Sequence, residues 1–249
     1  MDVSLIVLSL VATFFAAAFT VPAGFGLATM ITPIVFLWLE PHEAIAVVGI
    51  VHGSHNAWKL KLLRSSVNRS AVRRYGWAMV VGALIGAGLN TLIQSDPLLL
   101  IVGVALVVLP LLTVSEKWTN YRLPEAEDRI GGFGSGFFGG LTGHQGALRA
   151  MFLQKRLENK TEYAATAALL ALIVDATRVP VYVALEGWQI LEAGWLILGL
   201  VLAAILGVHL GKRWLKKWKS ERIRKGILIA IVVSGVMYIR EALIGLEYL

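Results

Sequence analysis

The sequence predicts an all-α polytopic membrane protein made of two inverted-topology repeats, each a broken or re-entrant helical hairpin followed by three transmembrane helices. Three observations predict this class: long apolar runs, two short connections rich in basic residues, and two glycine clusters inside apolar segments. Of the 249 residues, 57% are hydrophobic, above the roughly 45–50% of ordinary globular chains. A helix needs about 20 residues to cross a bilayer. Runs that approach this length cover residues 3–20, 77–93, 98–114, 163–185, 193–210 and 227–246.

The net charge of +7 is concentrated in two short connections, which indicates membrane orientation rather than nucleic-acid binding. Short loops rich in Lys and Arg stay on the cytoplasmic side. The connections around Asp96 and from Glu186 to Glu192 carry acids without bases, so we expect them to face outward. Both termini are then extracytoplasmic, in a multi-pass protein of the cell (inner, cytoplasmic) membrane. The basic connections contain Lys59, Lys61, Arg64, Arg69, Arg73 and Arg74, and Lys212, Arg213, Lys216, Lys217, Lys219, Arg222, Arg224 and Lys225.

The first predicted repeat covers residues 1–114 and begins with a hairpin at 3–39. The chain is expected to turn back at PAGFG (22–26), because proline and glycine interrupt a helix. Each limb of this hairpin is expected nearly to span the membrane. Three transmembrane helices follow at about 42–58, 72–93 and 97–114 along the chain. A cytoplasmic linker of mixed charge at 115–129 connects the two repeats.

The second predicted repeat covers residues 130–249 in the opposite orientation. Its hairpin at 130–157 folds at GGLTG (139–143), and limbs of about a dozen residues are too short to cross, so it should be re-entrant. Helices follow at about 161–185, 193–211 and 226–247. Inverted repeats with broken helices near the midplane are the architecture of secondary transporters. An ungapped shift of 119 residues supports the repeat by placing Gly24 on Gly143, Glu43 on Glu162, Asn56 on Asp175, Lys59 on Arg178 and Gly88 on Gly207.

Polar residues at the two folds predict an anion site near the midplane. A helix broken inside the membrane leaves backbone N–H groups unpaired, and their positive partial charges attract anions. Irregular backbone is tolerated at this depth only where it lines a cavity or is buried in protein. The amides of His144, Gln145 and Gly146 are expected to face this site, and Arg149 would add a full charge. The candidate substrate-binding residues are Gly24, Phe25, Gly26, Thr29, Thr32, Thr142, Gly143, His144, Gln145, Gly146 and Arg149.

Two of these features have a simpler alternative. Arg149 could reach the cytoplasmic interface beside Lys155 and Arg156 instead of being buried. Glycines can also serve close helix packing, as small-xxx-small patterns do. This second interpretation is favoured for Gly134, Gly136, Gly139 and Gly140.

Ionisable residues on the helices that follow the hairpins are candidates for coupling or gating. Asp175 and Arg178 either form a structural ion pair across one turn or mark an ion path. His52, His55 and Asn56 share one helix face, where they either hydrogen-bond between helices or carry a coupled proton. The two histidines have no third ligand at a recognisable spacing, so neither a metal site nor a cofactor is predicted.

These residues give the chain a resemblance to the TauE/SafE family, in which each half carries a glycine-rich turn, an apolar segment and a helix. The first copy here is GFGLATMITP (24–33), followed by EAIAVVG (43–49). The second is GSGFFGGLTGHQGALRA (134–150), followed by EYAATAALLAL (162–172). The resemblance covers essentially the whole chain, with fewer glycines in each turn. It implies export of sulfite or small organosulfonates.

We therefore expect a secondary transporter or facilitator, and not an enzyme, that moves a small sulfur oxyanion by alternating access. A polyprenyl-phosphate or lipid-headgroup flippase, an intramembrane enzyme and a structural membrane protein are the alternatives. The basic connections are expected to contact membrane lipids. The sequence leaves open whether a proton or sodium ion is coupled and whether the chain forms a homodimer.

Overall fold

The computed structural model describes residues 3–114, 127–186, 194–217 and 220–246, and within these ranges the secondary structure is helical. Residues 115–126 of the predicted linker, both chain ends and most of the connection between Glu186 and Glu192 lie outside them. A 3-10 turn at Arg64–Ser66 joins two of the helices. The ten α-helices of the described ranges are α1 (Val3–Ala23), α2 (Leu27–Val35), α3 (Pro41–Leu63), α4 (Arg69–Asn90), α5 (Ser95–Val114), α6 (Glu127–Thr142), α7 (Gly146–Arg156), α8 (Lys160–Glu186), α9 (Gly194–Lys217) and α10 (Ser220–Gly245).

Four helices in the described ranges are long and apolar enough to cross a membrane: α1, α8, α9 and α10. Helices α3 and α4 have 23 and 22 residues, which at about 1.5 Å per residue also exceeds a core about 30 Å thick. They contain more polar residues, but α3 is packed between other helices, so its polar side chains need not meet lipid. Large apolar side chains such as Leu84, Leu198 and Ile229 are exposed on the outside, as expected of a lipid-facing surface.

The first break separates α1 from α2. Gly24 and Gly26 have φ values of 85° and 109°, a left-handed backbone that glycine adopts without strain. Helix α2 then has nine residues, about 14 Å at helical rise, which is too short to span. The expectation that both limbs nearly span was therefore wrong for α2. The reason is that residues 36–39 form the turn that reverses the chain into α3.

The second break separates α6 from α7 at residues 143–145. Gly143 has a φ of 83°, nearly the value at Gly24. Helices α6 and α7 have 16 and 11 residues, about 24 and 16 Å, so neither crosses a core about 30 Å thick.

The helices pack in matching pairs. Helix α4 packs along α6, and the corresponding pair is α9 along α1. Likewise, α4 contacts α8, and the corresponding pair is α9 and α3. Helix α3 faces α8, and α5 faces α10. Glycines permit the closest of these approaches, since a Cβ at each would meet a carbonyl of the opposite helix. They are Gly132, Gly136 and Gly140 of α6 against Tyr75, Met79 and Ala83 of α4, and Gly207 and Gly211 of α9 against Phe14 and Ala18 of α1.

Helices α3 and α8 cross the interior in opposite directions. Gly49 lies against Val179 and Arg178, and Gly53 lies against Asp175. Helix α3 continues to Leu63, five residues beyond its predicted end. Lys59, which we expected in the first basic connection, is therefore inside α3 and only 2% exposed.

Candidate functional site

The two helix breaks meet in the protein interior. A Cβ on Gly146 would lie 2.9 Å from Cβ of Phe25 and 3.4 Å from the backbone nitrogen of Gly26. Gly26 caps α2 and Gln145 caps α7, and neither provides a side-chain hydrogen bond to its helix. The first intrahelical bonds run from the Met30 amide to Gly26 and from the Arg149 amide to Gln145. The preceding amides of each helix have no intrahelical acceptor, so two partially positive helix ends lie side by side.

Six buried side chains beside the breaks form what we call the central polar cluster: His52, Asn56, Gln145, Arg149, Asp175 and Arg178. Each is at most 5% exposed. Asp175 lies at its centre, with Oδ2 2.6 Å from Nδ1 of His52 and Oδ1 3.0 Å from Nε of Arg178. Because Asn56 Nδ2 lies 3.1 Å from Nε2 of His52, a neutral His52 with its proton on Nδ1 satisfies both neighbours.

Gln145 connects the two sides of the central polar cluster. Its Nε2 donates to Oδ1 of Asp175 at 3.5 Å, and its Oε1 accepts from a terminal nitrogen of Arg149 at 2.9 Å. Arg149 is 2% exposed, so it is buried and does not reach the cytoplasmic interface. Gln145, which belongs to the second helix break, therefore links the Asp175 carboxylate to the guanidinium of Arg149.

Arg178 has unused hydrogen-bond donors. Asp175 engages only its Nε, and neither terminal nitrogen makes a hydrogen bond of acceptable geometry to a described residue. One terminal nitrogen lies 3.1 Å from the Cβ position of Gly143, and the other lies 3.4 Å from that of Gly49. Tyr182 places its ring 5.7 Å from the guanidinium and directs its hydroxyl to the Gly140 carbonyl, and this hydroxyl is close enough to the guanidinium to interact with it. The terminal edge, which the described residues leave without a hydrogen bond of acceptable geometry, has the fork geometry that binds an oxyanion through two hydrogen bonds.

Positive charge exceeds negative charge around the breaks. Among the described residues, the buried ionisable side chains there are the basic Lys59, Arg149 and Arg178 and the acidic Asp175, so basic groups outnumber acidic groups by two. Asp128, the other buried acid in the described ranges, pairs elsewhere with Arg74 and Arg156 at 2.9 and 3.2 Å. Burying an unpaired charge is costly, so this arrangement favours an anionic ligand.

The predicted threonine donors are placed differently from our expectation. Thr29, Thr32 and Thr142 are buried, but their hydroxyls donate to carbonyls of their own helices at 2.6–2.9 Å. The His144 amide donates to the Thr142 hydroxyl at 3.3 Å. The His144 amide is therefore occupied, whereas the predicted amides of Gln145 and Gly146 precede the first intrahelical bond of α7, which the Arg149 amide makes.

His144 joins the two breaks directly. Its Nε2 lies 3.2 Å from the Thr32 hydroxyl, whose own proton is donated to Ala28. The hydroxyl therefore accepts from His144, which places a ring proton on Nε2. Nδ1 of His144 has no hydrogen-bond partner among the described residues.

The remaining candidates lie around this region. His55 contacts α1, with Nε2 3.4 Å from the Ala17 carbonyl, and so it is not bonded into the central polar cluster. Gly24 packs against the Tyr163 ring. Lys59 was not among our candidate site residues, although its alignment with Arg178 under the 119-residue shift was a signal for it. The described residues contain no group of three side chains able to hold a metal ion.

These features define a multi-pass helical membrane protein with two broken helices beside a buried cationic cluster. The family model described as "Sulfite exporter TauE/SafE" matches residues 9–238 of the chain. The protein belongs to the TauE/SafE family, a family of membrane transport proteins. No curated protein and no solved structure matches the chain.

Proposed function

We propose that this protein is a secondary transporter or facilitator that moves a small oxyanion, sulfite or an organosulfonate, across the cell membrane. The anion binds where the two helix breaks meet. The single observation that carries this proposal is the buried terminal edge of Arg178, which the described residues leave without a hydrogen bond of acceptable geometry in a region where basic side chains outnumber acids. Family membership supports the same class of substrate.

Several kinds of donor can replace the water of a desolvated oxyanion. Arg178 offers two terminal nitrogens, Arg149 has an unpartnered Nε, and the first turns of α2 and α7 offer backbone amides. Charge-assisted hydrogen bonds of this kind are about twice as strong as neutral ones. Gly24, Gly26, Gly143 and Gly146 let the backbone approach closely at both breaks.

We propose alternating access in a fold of two inverted repeats, residues 1–114 and 130–249. The matching helix pairs support this arrangement, because each of the largest helix contacts has a counterpart. The glycine-lined pairs α4–α6 and α1–α9, each with one helix from each repeat, would move as rigid bodies, since their backbones are in contact. The site at the breaks would then open alternately to either side.

We propose that Asp175 and His52 couple binding with a second event. An anion at the terminal edge of Arg178 would weaken the attraction between the guanidinium and Asp175, and His52, 2.6 Å from the other carboxylate oxygen, would keep its hold on the carboxylate. Asn56 holds His52 in position, and His55 extends the polar face toward α1. Imposed pH and sodium gradients across proteoliposomes distinguish proton coupling, sodium coupling and uniport.

Sulfite flux into proteoliposomes tests the proposal. Arg178→Lys keeps the charge beside Asp175 but removes the fork, so the half-saturating sulfite concentration should rise about tenfold or more. Arg73→Lys, on an exposed arginine of α4, is the matched control and should behave as wild type. The proposal fails if wild-type flux equals that of protein-free liposomes, or if the two variants are indistinguishable.

A further inference from the structure

We infer that Lys59 and Arg149 form a second anion-binding subsite, separated from Arg178 by the Asp175–His52 pair. This inference rests on the proposed function, because it concerns the route of the same small oxyanion. Lys59 is 2% exposed and Arg149 is 2% exposed. Both basic side chains are therefore almost entirely buried.

The two cationic positions lie at different depths. Arg178 lies at the level of Gly49, and Asp175 lies at the level of Gly53. Lys59 follows Gly49 by ten residues on the same helix, about 15 Å along the axis at helical rise. Lys59 is thus on the opposite side of Asp175 from Arg178, near the end of α3 that leads to the exposed Arg64.

Arg149 lies on the same side of the Asp175–His52 pair as Lys59. It follows Gln145 by one helical turn, and Gln145 is the residue that contacts Asp175. Helix α7 leads from Gln145 toward the start of α8 at Lys160, and Asn68, just beyond the end of α3, bonds to Glu162 and Thr166 near that start. Arg149 therefore lies toward the same end of the molecule as Lys59. An anion between Lys59 and Arg149 would be attracted by both basic side chains.

Among the described residues, Lys59 also has no ion-pair partner, since none of their salt bridges includes it. Nε of Arg149 and Nδ1 of His55, one turn before Lys59, have no hydrogen-bond partner among the described residues. A buried ammonium normally has a carboxylate beside it, since isolated buried charge is costly. These polar groups of α3 and α7 lie toward the same end of the molecule, as a shared binding subsite for an anion requires.

Two subsites give the anion a path in two steps. The anion enters the Lys59–Arg149 subsite from one face and the Arg178 subsite from the other. The Asp175 carboxylate between them repels a passing anion, so transfer requires Asp175 to stay paired with the positive charge of Arg178. Because Gly49 and Gly53 have no Cβ, the Arg178 and Asp175 side chains fit between α3 and α8.

Substitution of Lys59 tests the second subsite in proteoliposomes and in detergent. Lys59→Met should lower sulfite flux about tenfold, as expected for loss of a buried charge-assisted contact, while Lys59→Arg should retain most of it. Lys61→Met is the matched control, because Lys61 is exposed and lies over the Trp58 ring on the same helix. Its flux should equal that of wild type.

Thermal unfolding separates a binding role from a structural one. If Lys59 binds the anion, Lys59→Met removes an uncompensated buried charge, so the melting temperature without sulfite should be equal to or above that of wild type. The stabilisation by added sulfite should become smaller. The inference is overturned if Lys59→Met leaves flux unchanged while wild type transports sulfite. It is also overturned if flux falls together with the anion-free melting temperature. Absence of sulfite flux in wild type would instead refute the proposed function.

Discussion

At the residue scale, Asp175 determines the charge balance of the central polar cluster. Among the described charged residues buried beside the breaks, Asp175 is acidic and the others are basic. One of its carboxylate oxygens contacts His52 and the other contacts Arg178. A carboxylate that contacts Nε alone leaves the terminal edge of the guanidinium available. Asp175 thereby orients Arg178 without saturating it, which is the arrangement an exchangeable ligand needs.

We expect Asp175→Asn to bind sulfite more tightly and to transport it more slowly. The substitution raises the excess of buried basic over acidic groups from two to three, so the anion compensates more charge and leaves less readily. Without sulfite the melting temperature should fall, because breaking a buried ion pair costs about 3–5 kcal/mol. With sulfite the rise in melting temperature should exceed that of wild type.

Asp128→Asn provides the comparison for this variant. Asp128 is also buried and pairs with two arginines, Arg74 and Arg156, but it lies outside the central polar cluster. It should lose stability without gaining a larger response to sulfite. Equal sulfite responses in the two variants would contradict the role assigned to Asp175.

At the element scale, the breaks depend on glycine at positive φ. Gly143 has a φ of 83°, and a Cβ there would lie 3.1 Å from a terminal nitrogen of Arg178. Gly143→Ala should therefore lower the stability by about 1–2 kcal/mol through the backbone and displace the guanidinium as well. We expect a lower melting temperature together with reduced sulfite flux.

Gly88→Ala is the control for this change. Gly88 lies within α4, and a Cβ there would meet no atom within 4 Å. Alanine favours helix over glycine by up to about 1 kcal/mol, so this variant should melt at or above the wild-type temperature. Equal melting temperatures and fluxes for the two variants would show that the break does not need glycine.

At the scale of the whole molecule, inverted topology requires equivalent loops on opposite sides of the membrane. Glu40 is an exposed residue just before α3, and Glu158 is an exposed residue just before α8. The chain has no native cysteine, so single cysteines at these positions can be labelled selectively. With an impermeant thiol reagent on intact cells, Glu40→Cys should react, and Glu158→Cys should react only after permeabilisation. Labelling of both from the same side would refute the inverted repeats.

Much of the architecture follows from local sequence. The apolar runs of α1, α8, α9 and α10 identify membrane-spanning helices without reference to neighbours. The positions of Gly24, Gly26 and Gly143 predict where the chain departs from helix, since few other residues adopt their backbone. The family resemblance proposed from the glycine-rich turns is confirmed by the match over residues 9–238.

The predictions that differ from the structure concern burial and hydrogen-bond acceptors, which depend on the residues packed nearby. Lys59 was assigned to a cytoplasmic connection because it is followed by Lys61 and Arg64, yet α3 carries it into the interior. The threonine hydroxyls were expected to donate to a ligand, but each has a nearer acceptor in its own helix. Charge type is visible in a sequence, whereas burial and the choice of hydrogen-bond partner depend on what packs alongside.

The sequence by itself determined that the chain is a helical membrane protein of the TauE/SafE type, broken at two glycine-containing turns. Hydrophobic length and backbone freedom are local properties, so neighbouring residues suffice to predict them. Only the tertiary structure decided that Asp175 holds His52 and one edge of Arg178, and that Lys59 is buried. The contact between His52 and Asp175 joins residues more than 100 positions apart in the chain. It arises because packing α3 against α8 forces polar groups, which cannot face lipid, to find partners in the interior.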